Sequence, residues 1–191
     1  MTGNQTLRVL AMSGSLRKGS YNTAVVRACA ALAPDGMTFD ILDLAPVPLF
    51  SQDVEAAGMP DAVRDARERI AAADGVLIAT PEYNSSIPGV LKNALDWFSR
   101  PPAHPFVGKP LAIIGASPGR LGTARAQLHL RQIMGRLNAV ILTGPEVLIS
   151  GADQAIGEDG SFTDDATAGF VRQLLADFAS LIRHTAARCA D

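Results

Sequence analysis

The chain is poor in the residues that build disulfide frameworks and metal sites, and it lacks the long apolar runs of membrane spans. Its 191 residues include two cysteines and three histidines. Cys29 and Cys189 lie far apart and match no metal or redox spacing, so they are expected to be buried or idle thiols rather than a disulfide scaffold. His104, His129 and His184 are scattered as well. No pair has the spacing of metal ligands, and no metal site is expected. No apolar run reaches the roughly 18 residues that a membrane-spanning helix needs. The first residues, MTGNQTLRVLAM, lack the basic stretch and apolar run of a signal peptide, which points to a cytoplasmic protein. Charge of one sign is missing too: 17 basic residues face 19 acidic ones, for a net charge of −2. There is no basic surplus to hold nucleic acid or an anionic membrane.

What remains is a composition that folds. Apolar residues make up 48% of the chain and charged ones 19%, as in compact proteins rather than disordered ones. The length suits one domain, residues 1–191, with a sizeable core.

Apolar runs of strand length alternate with longer helical patterns. Leu7–Ala11, Met37–Leu44, Gly75–Thr80 and the segment PLAIIGAS read as strands. NAVILTGPEVLIS holds a fifth, with an interruption at Gly144–Pro145. Helices are expected at Asn22–Ala33, after Pro60, across VLKNALDWFSR, at Thr123–Leu137 and at Asp164–Arg188. The proline-broken segment PVPLFSQDVEAAGM reads as a loop. Such alternation predicts a parallel sheet with helices on both faces. The fold class expected is α/β: a flavodoxin-like, doubly wound, five-stranded parallel sheet of order 2-1-3-4-5. In that arrangement ligands bind beyond the carboxyl ends of the strands. The three loops with distinctive chemistry, Ser13–Tyr21, Pro81–Pro88 and Ser117–Gly122, follow strands one, three and four. They therefore meet around the point where the strand order reverses.

The first loop, GSLRKGSYNT, offers Ser15, Arg17, Ser20, Asn22 and Thr23 just before a helix start. Unpaired N–H groups and the positive dipole end of that helix favour an anion. The nucleotide P-loop pattern fails, because no lysine stands between Gly19 and Ser20. The dinucleotide pattern G-x-G-x-x-G fails for want of a third glycine. A terminal phosphate monoester, nearly doubly charged, suits one arginine and several hydroxyls better, and flavin mononucleotide (FMN) ends in such a group. A plainer alternative has Ser20 or Asn22 capping the helix and Arg17 in water. The second loop, TPEYNSSIPG, is stiffened by Pro81 and Pro88 and places Tyr83 where it can lie beside a flat ring.

Together, GSLRKGSYN and TPEYNSSIPGVLKNALDWFSR resemble the NAD(P)H-dependent FMN reductase family, and within it the soluble quinone and chromate reductases and related azoreductases. The likeness continues through SPGRLGTARAQLHLRQIMGRLNA and covers most of residues 7–149. The last 40 residues match only loosely. The resemblance implies a flavodoxin-like fold and non-covalent FMN. It implies that Ser15, Arg17, Ser20, Asn22 and Thr23 hold the phosphate. Pro81, Glu82, Tyr83 and Asn84 would contact the ring, and Ser117, Gly119 and Gly122 would flank it from the other side. Thr123, Ser85 and Arg120 depart from the usual pattern, which leaves substrate preference open.

A rival pattern is GASPG, Gly115–Gly119, which matches the G-x-S-x-G elbow of serine hydrolases. Glu146 or Asp153 and then His184 follow in triad order. Against it, the residue after Ser117 is Pro118, which has no N–H to donate to an oxyanion. A non-enzymatic electron-transfer flavodoxin is a further alternative, although such proteins tend to be strongly acidic. The function expected is transfer of hydride from NAD(P)H to FMN, then of electrons to quinones, free flavins, azo compounds or metal oxyanions, in alternating ping-pong turnover. No catalytic side chain is required, because the flavin carries the chemistry. The resemblance also implies a homodimer or homotetramer. Val90 and Trp97, seven residues apart and off the core stripe, are expected to offer a second apolar edge to a partner.

Overall fold

In β1 (Leu7–Ser13) the side chains of Leu7, Val9 and Ala11 pack to one side and those of Leu10 and Met12 to the other. That period of two, with both sides buried, recurs in β3 (Gly75–Ala79) and β4 (Pro110–Ala116) and is the mark of a central parallel strand. The computed structural model describes residues 6–188; Cys189 lies outside them.

The remaining elements follow in chain order. The first half holds α1 (Tyr21–Ala31), β2 (Met37–Leu42), α2 (Gln52–Ala57), α3 (Asp61–Ala72) and α4 (Gly89–Phe98). The second half holds α5 (Ala124–Arg136), β5 (Val140–Ile141), β6 (Val147–Ile149), α6 (Ala152–Ala155) and α7 (Asp165–Arg188). The sheet runs β2-β1-β3-β4-β5, every pairing parallel, and β6 also pairs with β4. This is the flavodoxin-like order that the alternation predicts. Helices α1 and α7 cover one face, and α3, α4 and α5 cover the other.

The expected break in the fifth strand is present. β5 lies against Pro110 and Leu111, whereas β6 lies against Ile114–Ala116. Side chains of α5 meet the carbonyls around the gap. Arg131 Nη1 donates to Leu142 O at 2.8 Å and Gln127 Nε2 to Val147 O at 3.0 Å. Buried backbone acceptors need such partners where a ladder stops.

Two expectations change. The segment after β2 is not all loop: it contains α2, started by Ser51, whose Oγ accepts from Asp53 N at 3.2 Å. None of its residues is buried, so no apolar stripe announces it. Trp97 is not a partner-facing edge. It is fully buried within its own chain, and its Nε1 donates to Pro48 O at 2.8 Å. Its ring meets that of Phe50 edge-on, with centroids 4.9 Å apart. Asn93 also holds this loop, accepting from Phe50 N and donating to Pro48 O. The proline loop folds back over α4 and covers the residues that periodicity leaves outside.

Candidate functional site

The first loop leaves β1 with Gly14 N donating to Ala79 O at 2.8 Å, which ties it to the end of β3. Ser13 Oγ accepts from Ser15 N and Ser15 Oγ from Arg17 N, so short local bonds hold the turn. Ser20 is the N-cap of α1, accepting from Thr23 N at 3.3 Å. The next two backbone N–H groups, of Tyr21 and Asn22, have no protein acceptor among the described residues. Arg17 is exposed and has no carboxylate partner there; its guanidinium lies 5.1 Å from the centre of the Tyr21 ring. Free donors and a positioned cation at a helix start make an anion seat.

Asn22 has a different task from its neighbours. Its Nδ2 donates to Ala116 O and its Oδ1 accepts from Ala116 N, both at 2.9 Å, and it is buried. Both ends of the amide are used, so the side chain clamps α1 to the end of β4. Its backbone N–H is left without a protein acceptor among the described residues. Thr23 gives its N–H to the cap and is not among the residues that line the groove.

The second loop folds into a two-residue hairpin. Tyr83 N donates to Ser86 O at 3.0 Å and Ser86 N to Tyr83 O at 3.1 Å. Asn84 and Ser85 both have positive φ, 50° and 63°, as a type I′ turn requires. Glu82 turns away from solvent. One carboxylate oxygen accepts from Arg125 N at 2.9 Å and Ala126 N at 3.1 Å, capping α5 from a distance. Ser86 Oγ lies 3.0 Å from His129 Nδ1, and Ser85 Oγ accepts from Arg125 Nη1 at 3.2 Å. The hairpin is thereby fixed to α5, with Tyr83 left 51% exposed at the rim.

The third loop begins where Ser117 N donates to Ile149 O at 2.9 Å. Ser117 Oγ accepts from Gly119 N, and Gly122 N donates to Gly119 O at 3.1 Å. Gly122, at φ 58°, packs directly on the Leu148 backbone, where a side chain has no room.

These three loops enclose a groove of about 160 Å³ at the carboxyl end of the sheet. Ser15, Arg17, Ser20 and Asn22 line one end, Pro81, Glu82 and Tyr83 one side, and Ser117 the other. Thr23, Asn84, Gly119 and Gly122 are not among the lining residues. Three wall residues lie within the quoted motifs but outside the expected contact set: Tyr21, Ala116 and Pro118. Tyr21, the aromatic residue next to the helix cap, was the one with a legible signal.

The triad of a serine hydrolase is not assembled. The Ser117 hydroxyl is engaged by Gly119 N, His129 is at Ser86, and His184 Nδ1 donates to Ser180 O within α7. Glu146 faces Arg131 at 3.5 Å. The GASPG pattern has a packing cause instead. A Cβ on Gly115 would lie 2.0 Å from Thr123 Oγ1 and 2.4 Å from Thr80 O.

Residues 7–154 match the family model described as NADPH-dependent FMN reductase. The chain belongs to this family. It is 52% identical over 169 residues to an NAD(P)H-dependent FMN reductase of Pseudomonas aeruginosa, an alignment covering 88% of this chain and 91% of that protein. It is 42% identical to a 2-hydroxy-1,4-benzoquinone reductase of a Burkholderia species, over 93% and 97% of the two chains. Among solved structures, the flavoenzyme NAD(P)H:(acceptor) oxidoreductase FerB of Paracoccus denitrificans superposes with a TM-score of 0.86. That match has 37% identity and covers 94% of this family member and 98% of FerB.

Proposed function

We propose that the chain works as one FMN-binding domain that oxidises NAD(P)H and reduces small acceptors. The carrying observation is the anion seat at one end of a groove whose long walls are the Pro81–Tyr83 segment and Ser117. The residues fit FMN. Arg17 and the free N–H groups of Tyr21 and Asn22 suit a phosphate monoester. The proline-stiffened hairpin and the third loop suit a flat ring. In this assignment Ser15, Arg17 and Ser20 hold the phosphate together with the α1 start. Pro81, Glu82, Tyr83 and Asn84 frame one edge of the ring, and Ser117, Gly119 and Gly122 the other. Glu82 and Asn22 contribute chiefly by fixing these loops to α5 and β4.

Bound FMN supplies the exchange of hydride and electrons between NAD(P)H and the acceptor. The chain's own part is to bind, orient and exclude water. No groove carboxylate is poised as an acid or base, since Glu82 is committed to α5. Quinones are the first acceptor class proposed, in keeping with the quinone reductases among the relatives. Free flavins, azo compounds and metal oxyanions follow by the same route, in ping-pong turnover in the cytoplasm.

A homodimer or homotetramer is proposed as well. Leu121 in the third loop and Leu128 on α5 are 54% and 67% exposed, and Phe170 is 61% exposed near Leu148. Light scattering of the purified protein tests this, and a monomer overturns it.

The decisive test of function is the visible spectrum, with identification of the flavin released by denaturation. A yellow protein releasing FMN is expected. A colourless protein that fails to bind added FMN overturns the proposal, and a preference for FAD overturns the phosphate-monoester assignment.

A further inference from the structure

A second and larger cavity, about 400 Å³, adjoins the groove. Ser20 and Tyr21 line both, so Tyr21 is the partition between them. One wall is the first loop and the outer side of α1, with Lys18, Ala24 and Arg27. The opposite wall is the segment after β6, with Asp153, Ile156 and Glu158. That segment is an ordered hairpin. Gly157 N donates to Ser161 O and Gly160 N to Gly157 O, both at 2.9 Å, and Ile156 bridges to Phe162. A Cβ built on Gly160, at φ 82°, would lie 3.7 Å from the Ala24 Cβ, so the hairpin stands beside α1.

The chemistry of the cleft is specific. Ala24, Ile156 and Tyr21 give it an apolar and partly aromatic lining. Lys18 and Arg27 stand on one lip without a hydrogen-bond or ion-pair partner among the described residues. Glu158 on the other lip is likewise free, and Asp153 is bonded only to its neighbour Gln154. Asp159, by contrast, is spent on Ser161. An apolar, partly aromatic lining suits a nucleobase. Two free cations suit a pyrophosphate. Free carboxylates suit the vicinal hydroxyls of a ribose, as they do in dinucleotide folds. One molecule carries all three groups and must also approach the groove.

We propose that this cleft binds the adenosine diphosphate half of NADH, with Lys18 and Arg27 on the pyrophosphate side and Asp153 and Glu158 on the adenosine ribose, where a 2′-phosphate would be repelled. The inference deepens the proposed function, because it assigns the dinucleotide's remote half a site of its own. Binding energy gathered there holds the nicotinamide end over the groove without touching the reacting atoms.

The test uses the flavin-loaded protein, its variant Lys18→Glu/Arg27→Glu, and ADP as a probe. Isothermal calorimetry should show ADP binding to the wild type and at least tenfold weaker binding to the variant. In steady-state assays the variant should raise KM for NADH at least tenfold with kcat retained. A synthetic reductant without phosphate or adenosine, 1-benzyl-1,4-dihydronicotinamide, should react equally with both proteins. Should the double reversal fail to fold, Asp153→Asn/Glu158→Gln replaces it, with the same weakening of ADP expected. Absence of ADP binding to the wild type, or equal ADP affinity in the variant, overturns the cleft assignment. If ADP binds as expected but neither reductant bleaches the flavin, the proposed function fails and the cleft assignment stands.

Discussion

Arg17 and Asn22 stand five residues apart and contribute in opposite ways. Arg17 is exposed and has no ion-pair partner among the described residues, so Arg17→Ala should leave the apoprotein's melting temperature unchanged. A charge-assisted contact to phosphate contributes roughly 1.5–3 kcal/mol, so FMN affinity should fall about tenfold to hundredfold in a fluorescence titration. Asn22→Ala should do the reverse in its first effect. It strips the buried N–H and C=O of Ala116 of their partners. Roughly 2–4 kcal/mol of stability should be lost in urea unfolding of the apoprotein. Cys29 is the third informative residue. Burial pushes its thiol up from 9.0 to about 12. An acid whose folded pKa is raised adds stability below its unfolded pKa and loses it as pH rises from about 9 toward about 12. At pH 8 the folded thiol should resist iodoacetamide and react only in denaturant, as peptide mass mapping will show.

At the scale of elements, two contacts decide how the loops are aimed. The first is the approach of α5 to β4 at Gly115. Gly115→Ala places a methyl group inside contact distance of Thr123 and of the Thr80 carbonyl. The Thr80 contact is backbone, so relief requires the second or third loop to shift. Overpacking of this kind costs about 1–3 kcal/mol, and here it should also weaken FMN binding. Chemical denaturation and flavin titration on one sample check both effects. The second contact is the capping of α5 by Glu82. Its side chain is only 12% exposed, so the cap is sheltered from solvent. It makes the second loop and the helix behind the third loop move together.

For the whole molecule, the anion seat and the groove walls come from loops joined to three different strands. A ligand that touches all of them binds the folded state alone. FMN at a hundred times its dissociation constant should then add about 2.7 kcal/mol. For a chain of this length the melting temperature should rise by roughly 5–10 °C, in proportion to the logarithm of FMN concentration. Differential scanning fluorimetry checks this, and an equal shift with riboflavin, which lacks the phosphate, would contradict the role of the anion seat. Among the described residues no helix is long and apolar enough to cross a membrane.

The parallel sheet, its order and the loops that meet at its carboxyl end were legible in the sequence. Both signals are local or nearly so. Period-two burial in β1, β3 and β4 leaves continuous apolar runs, and the serines, arginine and prolines of the loops stand together along the chain. The broken fifth strand was legible for the same reason, at Gly144–Pro145. Tertiary structure alone decided which of these residues face the groove and which support it. Asn22, Glu82 and Gly115 look like ligands or a nucleophile motif in the sequence. Their partners, Ala116, the start of α5 and Thr123, lie 94, 43 and 8 residues away. Trp97 looked exposed because helical periodicity counts only its own helix, and the loop from Pro46 to Ser51 covers it from outside that count. The second cleft belongs to the same class: its two walls are more than a hundred residues apart in the chain, and only the packing of α1 against the hairpin after β6 brings their charges together.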